Sequence, residues 1–386
     1  MPSEPVHSIY DLVGARRYCF VIMHYKGQEV FYRYIKEVIE NATGLRCIRG
    51  DEASMPGRPL LGKVHELIEK AEVVVAELSE PRPNVYYEFG YAKALPKEML
   101  VLCREGTDLP LDLKGLEVIE YTGDTADALA GFEQRLRGQL AKMVDRNLRL
   151  LQAMLVAPKA SPSYILASPR WQVRDAQADL RQKERRTYGD YLGVRGILNA
   201  WGALFGDKDL PELISARHAD TRLYKADCNL YLIGSQRVNV LVAQAMRDLQ
   251  KGAHTPWQFM PDETKTPNTT TLVGQRNGAA WSRKVRHGSD VPKLDFGLIL
   301  RGPHPRHRER QIMVVAGTRS IGTGAACLAA TRPVFIDQIR DKLQHAGVAL
   351  EDKTRTIWVL VSGKPDRRDK HVSERGVKIE EGGVID

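Results

Sequence analysis

Over the first third of the chain, short apolar runs alternate with stretches whose apolar residues recur at helical spacing. Residues 18–23 form a β-prone run, after which Phe31, Tyr34, Ile35, Val38 and Ile39 keep the period of a helix over 29–39. The same alternation predicts strands at 45–48, 73–76 and 99–102, helices at 60–71 and 84–95, and a fifth strand at 116–119. In the helix over 60–71 the inward positions are Leu61, Val64, Leu67 and Ile68. Apolar strands separated by amphipathic helices imply a parallel sheet covered on both faces. A leucine-rich amphipathic stretch over 129–156 completes this region. The segment 157–169, with three prolines and three serines, reads as a linker.

The second half is less regular. Strands are expected at 229–233, 298–300, 312–316 and 357–361, a helix at 238–249, and a Pro/Thr/Asn-rich loop at 255–270. Two of these strands run into glycine turns that open helices, at Gly234-Ser235 and at 317–324. That pattern predicts a second, Rossmann-like α/β domain over 170–386, after a first domain over 1–156, with a polar, poorly ordered tail from about residue 363.

The chain has 386 residues, enough for two domains, with 43% hydrophobic and 27% charged positions, within the ordinary globular range. It has no apolar run of about 18 residues and no leader pattern at the N-terminus, so neither membrane insertion nor export is expected. Five widely spaced cysteines exclude a zinc ribbon and a disulfide framework, and fit a cytoplasmic protein without a bound metal. Charge divides the chain. Residues 1–150 hold 20 Lys and Arg against 23 Asp and Glu, whereas the remainder holds 37 against 25. An anionic partner met through bulk electrostatics would therefore meet the second half.

Ligands of open parallel sheets bind at the carboxyl ends of the strands, where strand order reverses. Here those ends carry Met23, His24, Tyr25, Asp51 and Glu77, followed by the turn at 82–88. Asn84 suits a helix N-cap after Pro83, which puts Tyr87 and Glu88 in the first turns at the mouth of the sheet. A carboxylate among aromatics can face a flat base and stabilise a cationic sugar transition state. An acidic residue there is also what the helix dipole favours.

The residues 20–23, Arg49 and Asp51, residues 71–78 ending Ala76-Glu77-Leu78, and Pro83-Asn84-Val85-Tyr86-Tyr87-Glu88-Phe89-Gly90-Tyr91-Ala92 together resemble bacterial TIR-like proteins, relatives of the nucleoside 2-deoxyribosyltransferases. The resemblance covers about residues 16–122. It implies a flavodoxin-like fold and cleavage of an N-glycosidic bond, with Glu88 as the catalytic carboxylate and NAD+ as substrate rather than cofactor. It further implies an effector that depletes NAD+ during phage infection and works as an oligomer or filament. Two departures stand out: Glu77 replaces a commoner aspartate, and His24-Tyr25 a commoner Pro-Phe. Nicotinamide leaves a cationic ring as a neutral molecule and needs no general acid, whereas a purine must be protonated. A deoxyribosyltransferase or nucleoside hydrolase is therefore the alternative if Glu77 or Asp51 faces Glu88, and a non-catalytic nucleotide-binding protein if Glu88 is ion-paired away from the cleft.

In the second half, Gly234, Ser235, Gly317, Arg319, Gly322, Thr323 and Gly324 form the two strand–glycine–helix turns, which together would make an anion pocket helped by Arg301. Backbone N–H groups at such turns cradle phosphate. The expected ligand is an anionic activator, a cyclic nucleotide or nucleic acid. Glycines also serve simply to make tight turns.

Overall fold

The computed structural model describes residues 18–52, 60–80, 82–122, 126–167, 180–206, 209–216, 219–235, 239–253, 256–261, 270–273, 280–282, 284–285, 292–366 and 371–385. The chain divides into two compact units at Asn147/Leu148.

The first unit alternates strand and helix as far as β4, after which β5 follows without an α-helix between: β1 (Tyr18–Ile22), α1 (Glu29–Thr43), β2 (Arg46–Arg49), α2 (Leu60–Lys70), β3 (Val73–Glu77), α3 (Pro83–Lys93), β4 (Glu98–Arg104), β5 (Ile119–Tyr121) and α4 (Ala126–Leu155). The sheet is parallel throughout, in the order β2-β1-β3-β4-β5. This is the flavodoxin-like order, and its reversal falls between β1 and β3. Successive residues of β1 and β3 serve opposite faces. Phe20, Ile22, Val74 and Ala76 pack with residues of α2 and α3, whereas Cys19, Val21, Val73 and Val75 pack with residues of α1 and α4. Strands covered on both sides are apolar at every position, which is why they read as runs rather than alternations. One inward assignment is corrected: Leu61 is 51% exposed, while Lys63, one turn before Leu67, lies inside.

The second unit contains β6 (Ser163–Ala167), α5 (Leu180–Phe205), β7 (Glu212–Ser215), β8 (Asn229–Ile233), α6 (Val242–Leu249), β9 (Gln258–Pro261), β10 (Thr270–Val273), β11 (Ala280–Ser282), β12 (Lys284–Val285), β13 (Pro292–Pro303), β14 (Gln311–Gly317), α7 (Ser320–Thr331), α8 (Pro333–His345), β15 (Thr356–Pro365) and β16 (Val372–Ile385). Its main sheet runs β16-β15-β13-β14-β8-β6-β7, with β12 beside β13, and β11-β10-β9 form a small antiparallel sheet. The strands β14, β8, β6 and β7 are parallel, but β13, β15 and β16 pair antiparallel. The unit is thus α/β with a mixed sheet.

Four expectations differ from the structure. Leu150, Leu151, Met154, Leu155 and Val156 belong to the core of the second unit, so the first ends before 156. The supposed linker at 157–169 carries β6, between β8 and β7, and residues 168–169 lie outside the described residues. Its carbonyls are taken up: Asn229 Nδ2 donates to Lys159 and Ala160, and Arg310 Nη1 to Lys159 and Ser161. The tail expected to be poorly ordered from 363 instead completes β15 and forms β16, with Val372, Ile379 and Ile385 buried. Its polar residues hid an edge strand. Part of the loop expected at 255–270 is also strand, in β9, while residues 262–269 lie outside the described residues.

Candidate functional site

Pro83 is the first residue of α3 and Arg82 its N-cap, so Asn84 is an exposed second helical residue, not the cap. Proline is favoured at that first position because no intrahelical partner awaits its missing N–H. Helix α3 buries Val85, Phe89 and Ala92, which leaves Glu88 half-buried at the end of the sheet where β3 leads into the helix. Among the described residues Glu88 makes no hydrogen bond or ion pair. Burial pushes its carboxyl from an ordinary 4.5 up to about 7.

Tyr25 lies at the outlet of β1. A Cβ on Gly50 would meet its hydroxyl at 2.5 Å and Val64 Cγ2 at 3.5 Å, so β2, α2 and Tyr25 converge on bare backbone. Burial first, then the charges of Glu88 and Asp51, push the Tyr25 phenol well above its usual range, and Arg49 opposes them. Arg49 closes the group. Its Nε and Nη2 donate to Asp51 Oδ1 and Oδ2 at 2.7 and 2.8 Å, and its guanidinium carbon lies 4.2 Å from the Tyr32 ring centre and 5.1 Å from that of Tyr25. A bidentate, stacked guanidinium fixes a carboxylate that would otherwise turn freely at the surface.

Tyr25 is thus within electrostatic reach of both Asp51 and Glu88. Glu77 occupies a neighbouring buried position at the end of β3: its Oε1 accepts from Ser79 N and the Tyr121 hydroxyl, and its Oε2 is buried without a partner. His24 is half-buried, 4.0 Å from Glu80. Met23 is a correction, because it packs in the core beside Cys19 and Val21. Tyr87 is half-exposed and stacks toward His65, on which Tyr91 also lies at 3.7 Å between ring centres. Arg49, part of the resemblance together with Asp51, and Lys63 were not among the residues expected to bind substrate. Lys63 is 8% exposed; burial pulls its ammonium below the usual lysine range, and Asp51 opposes that. The signal available was its spacing, four residues before the inward Leu67.

The phosphate cradle expected in the second unit is filled by the protein itself. Asp295, fully buried at the start of β13, accepts from Gly322 N at 2.7 Å through Oδ2, and through Oδ1 from the Thr318 hydroxyl and Phe296 N. An internal carboxylate thus occupies the positive end of α7. The glycines serve close packing. A Cβ on Gly322 would lie 2.0 Å from Phe296 O, one on Gly317 2.1 Å from Thr323 N, and one on Gly324 2.6 Å from Val372. Thr323 hydroxyl and N–H both donate to Arg319 O. Arg301 is a structural residue, 1% exposed, donating to the carbonyls of Ala153, Leu350 and Asp352. At the other turn Gly234 adopts φ 95° and donates to Val315 O, while Ser235 O accepts from Asn239 N. Asn239 in turn bridges the carbonyls of Leu166 and Ile233, across β6 and β8. The glycines at 317, 322 and 324 are thus used for close packing, and Arg301 for holding carbonyls.

Among the described residues, no helix is long and apolar enough to cross a membrane. No protein-family model matches the chain, and no curated protein sequence matches it.

Proposed function

We propose that the first unit hydrolyses an N-glycosidic bond, that between nicotinamide and ribose in NAD+, with Glu88 as the catalytic carboxylate. The observation that carries this reading is a half-buried carboxyl without a partner, beside Tyr25, in the unit whose strand order reverses between β1 and β3. As the bond to C1′ breaks, nicotinamide leaves with the bonding pair as a neutral molecule and positive charge develops on the ribose. The Glu88 carboxylate stabilises that charge; water adds at C1′, giving ADP-ribose and a proton. In a site with little water, such electrostatic stabilisation is worth more than at the surface.

The second reading is a nucleoside hydrolase or deoxyribosyltransferase, favoured by the same carboxyl at about 7, which is poised to donate a proton to a leaving purine. The pH profile separates the two. With the carboxylate as the working form, kcat/KM for NAD+ rises through about pH 7; with the acid, the rate on a purine nucleoside falls through it.

The excess of positive charge after residue 150 supports an anionic activator, a cyclic nucleotide or nucleic acid, acting on the second unit. The test is nicotinamide release by the full chain with and without such activators, in wild type and Glu88→Gln. Loss by about 10²–10³-fold in the variant is expected; wild-type turnover by a folded variant refutes the assignment.

A further inference from the structure

Lys63 is the fourth residue of α2, and the residues that follow it on the inward face, Val64, Leu67 and Ile68, are core. Lysine stems lie readily along apolar surface when the ammonium finds water or a counter-ion. Lys63 is 8% exposed, and its ammonium makes no hydrogen bond or ion pair with a described residue. The carboxylate whose charge acts on it is Asp51, and both oxygens of Asp51 are already held by Arg49. Glu52, the next acid, accepts from the Tyr32 hydroxyl, the Arg49 N–H and Lys36. The anions at the end of β2 are thus spent on other donors, and the charge of Lys63 is left over. A buried cation without a counter-charge is costly to keep. It is next in sequence to Val64, whose side chain lies with Tyr25 against Gly50, and Tyr25 in turn feels the charges of Asp51 and Glu88.

We propose that Lys63 binds a phosphate of the N-glycoside cleaved at Glu88, so that the site selects nucleotides over nucleosides. The proposal rests on the glycosidase reading and narrows its substrate class. A phosphate supplies the missing counter-charge, and Arg49 prevents Asp51 from competing for the same ammonium. Arg49 is here a positioning residue, acting through Asp51.

The test is calorimetric binding to the full chain carrying Glu88→Gln, so that ligands are not consumed. Nicotinamide mononucleotide and nicotinamide riboside differ only by the phosphate, and NAD+ shows whether the mononucleotide phosphate suffices. The mononucleotide should bind at least about 10-fold more tightly than the riboside. Adding Lys63→Met should lower mononucleotide affinity by about 10–100-fold, leave the riboside unchanged, and be rescued by Lys63→Arg. Equal binding of the two ligands, an equal loss of both in Lys63→Met, or no binding of either overturns the proposal. Should the methionine variant not fold, the comparison of the two ligands still decides. Lysine-dependent binding without cleavage by the wild-type chain would refute the glycosidase reading while the phosphate site stands; cleavage without preference would do the reverse.

Discussion

Replacing Glu88 with glutamine removes one titration and keeps the shape of the side chain, so its effect on stability can be worked out separately from its effect on rate. In the folded chain this carboxyl titrates at about 7 against an ordinary 4.5. Between those values the folded state holds a proton that the unfolded chain has released, so the stability of the wild type falls as pH rises from 4.5 to 7. At about 1.36 kcal/mol per pH unit the loss approaches about 3 kcal/mol, an upper bound because Glu88 is only partly buried. Glutamine does not titrate. Glu88→Gln should therefore be more stable than the wild type by up to about 3 kcal/mol at pH 8, and the gain should vanish toward pH 4. Urea unfolding at both pH values measures this, with hydrogen exchange at Val74 and Val75 reporting on the first unit. Unfolding of the second unit is followed separately by fluorescence, because all five tryptophans lie after residue 150. The same variant must lose nicotinamide release at every pH. An inactive variant with no pH-dependent gain in stability would mean that Glu88 is not held half-buried and unpaired, and the physical argument for its role would fall.

Further outcomes are expected in the second unit. Gly322→Ala should destabilise it by several kcal/mol, of the order seen for overpacking against backbone, measured by thermal unfolding. Arg301→Met should cost about 3–5 kcal/mol, since three carbonyls lose a charged donor, and should leave the concentration of activator needed for half-response unchanged in whatever protein remains folded. Limited proteolysis should spare residues 159–167, and the amides of Ile165 and Leu166 should exchange only on global unfolding of the second unit, as central strand positions do.

The first unit could be read from sequence because its two periods are clean: five apolar strands and helices with one apolar face, each within a few residues of its observed place. The position of Glu88 was legible too, since Pro83 marks a helix start and a parallel sheet puts helix starts at its carboxyl end. That no described cation pairs with it was not, because which side chains face the helix start is set by tertiary packing. In the second unit the hidden elements share a cause. Helix α5 carries Gly189, Gly193 and Gly196, residues that argue locally against a helix, yet a Cβ at each would collide with α7, at Ser320 O, Cys327 Sγ and Thr331 Oγ1. Tertiary approach decided there, against propensity. Strand β6 was hidden by prolines and serines whose carbonyls find donors on Asn229 and Arg310, and β16 by charges tolerated on a sheet edge.

The carboxylate of Asp295 at the head of α7 changes what a glycine-rich turn can be expected to bind. A tethered anion competes with any soluble one at the effective concentration set by its linkage, which for short connections is millimolar or higher, and here the tether is a rigid strand. A metabolite phosphate would have to displace this resident group and strand it, desolvated, in the interior. Affinity at this turn is thus suppressed by intramolecular mass action, and any anionic ligand of the second unit would have to dock on a surface that carries no built-in competitor.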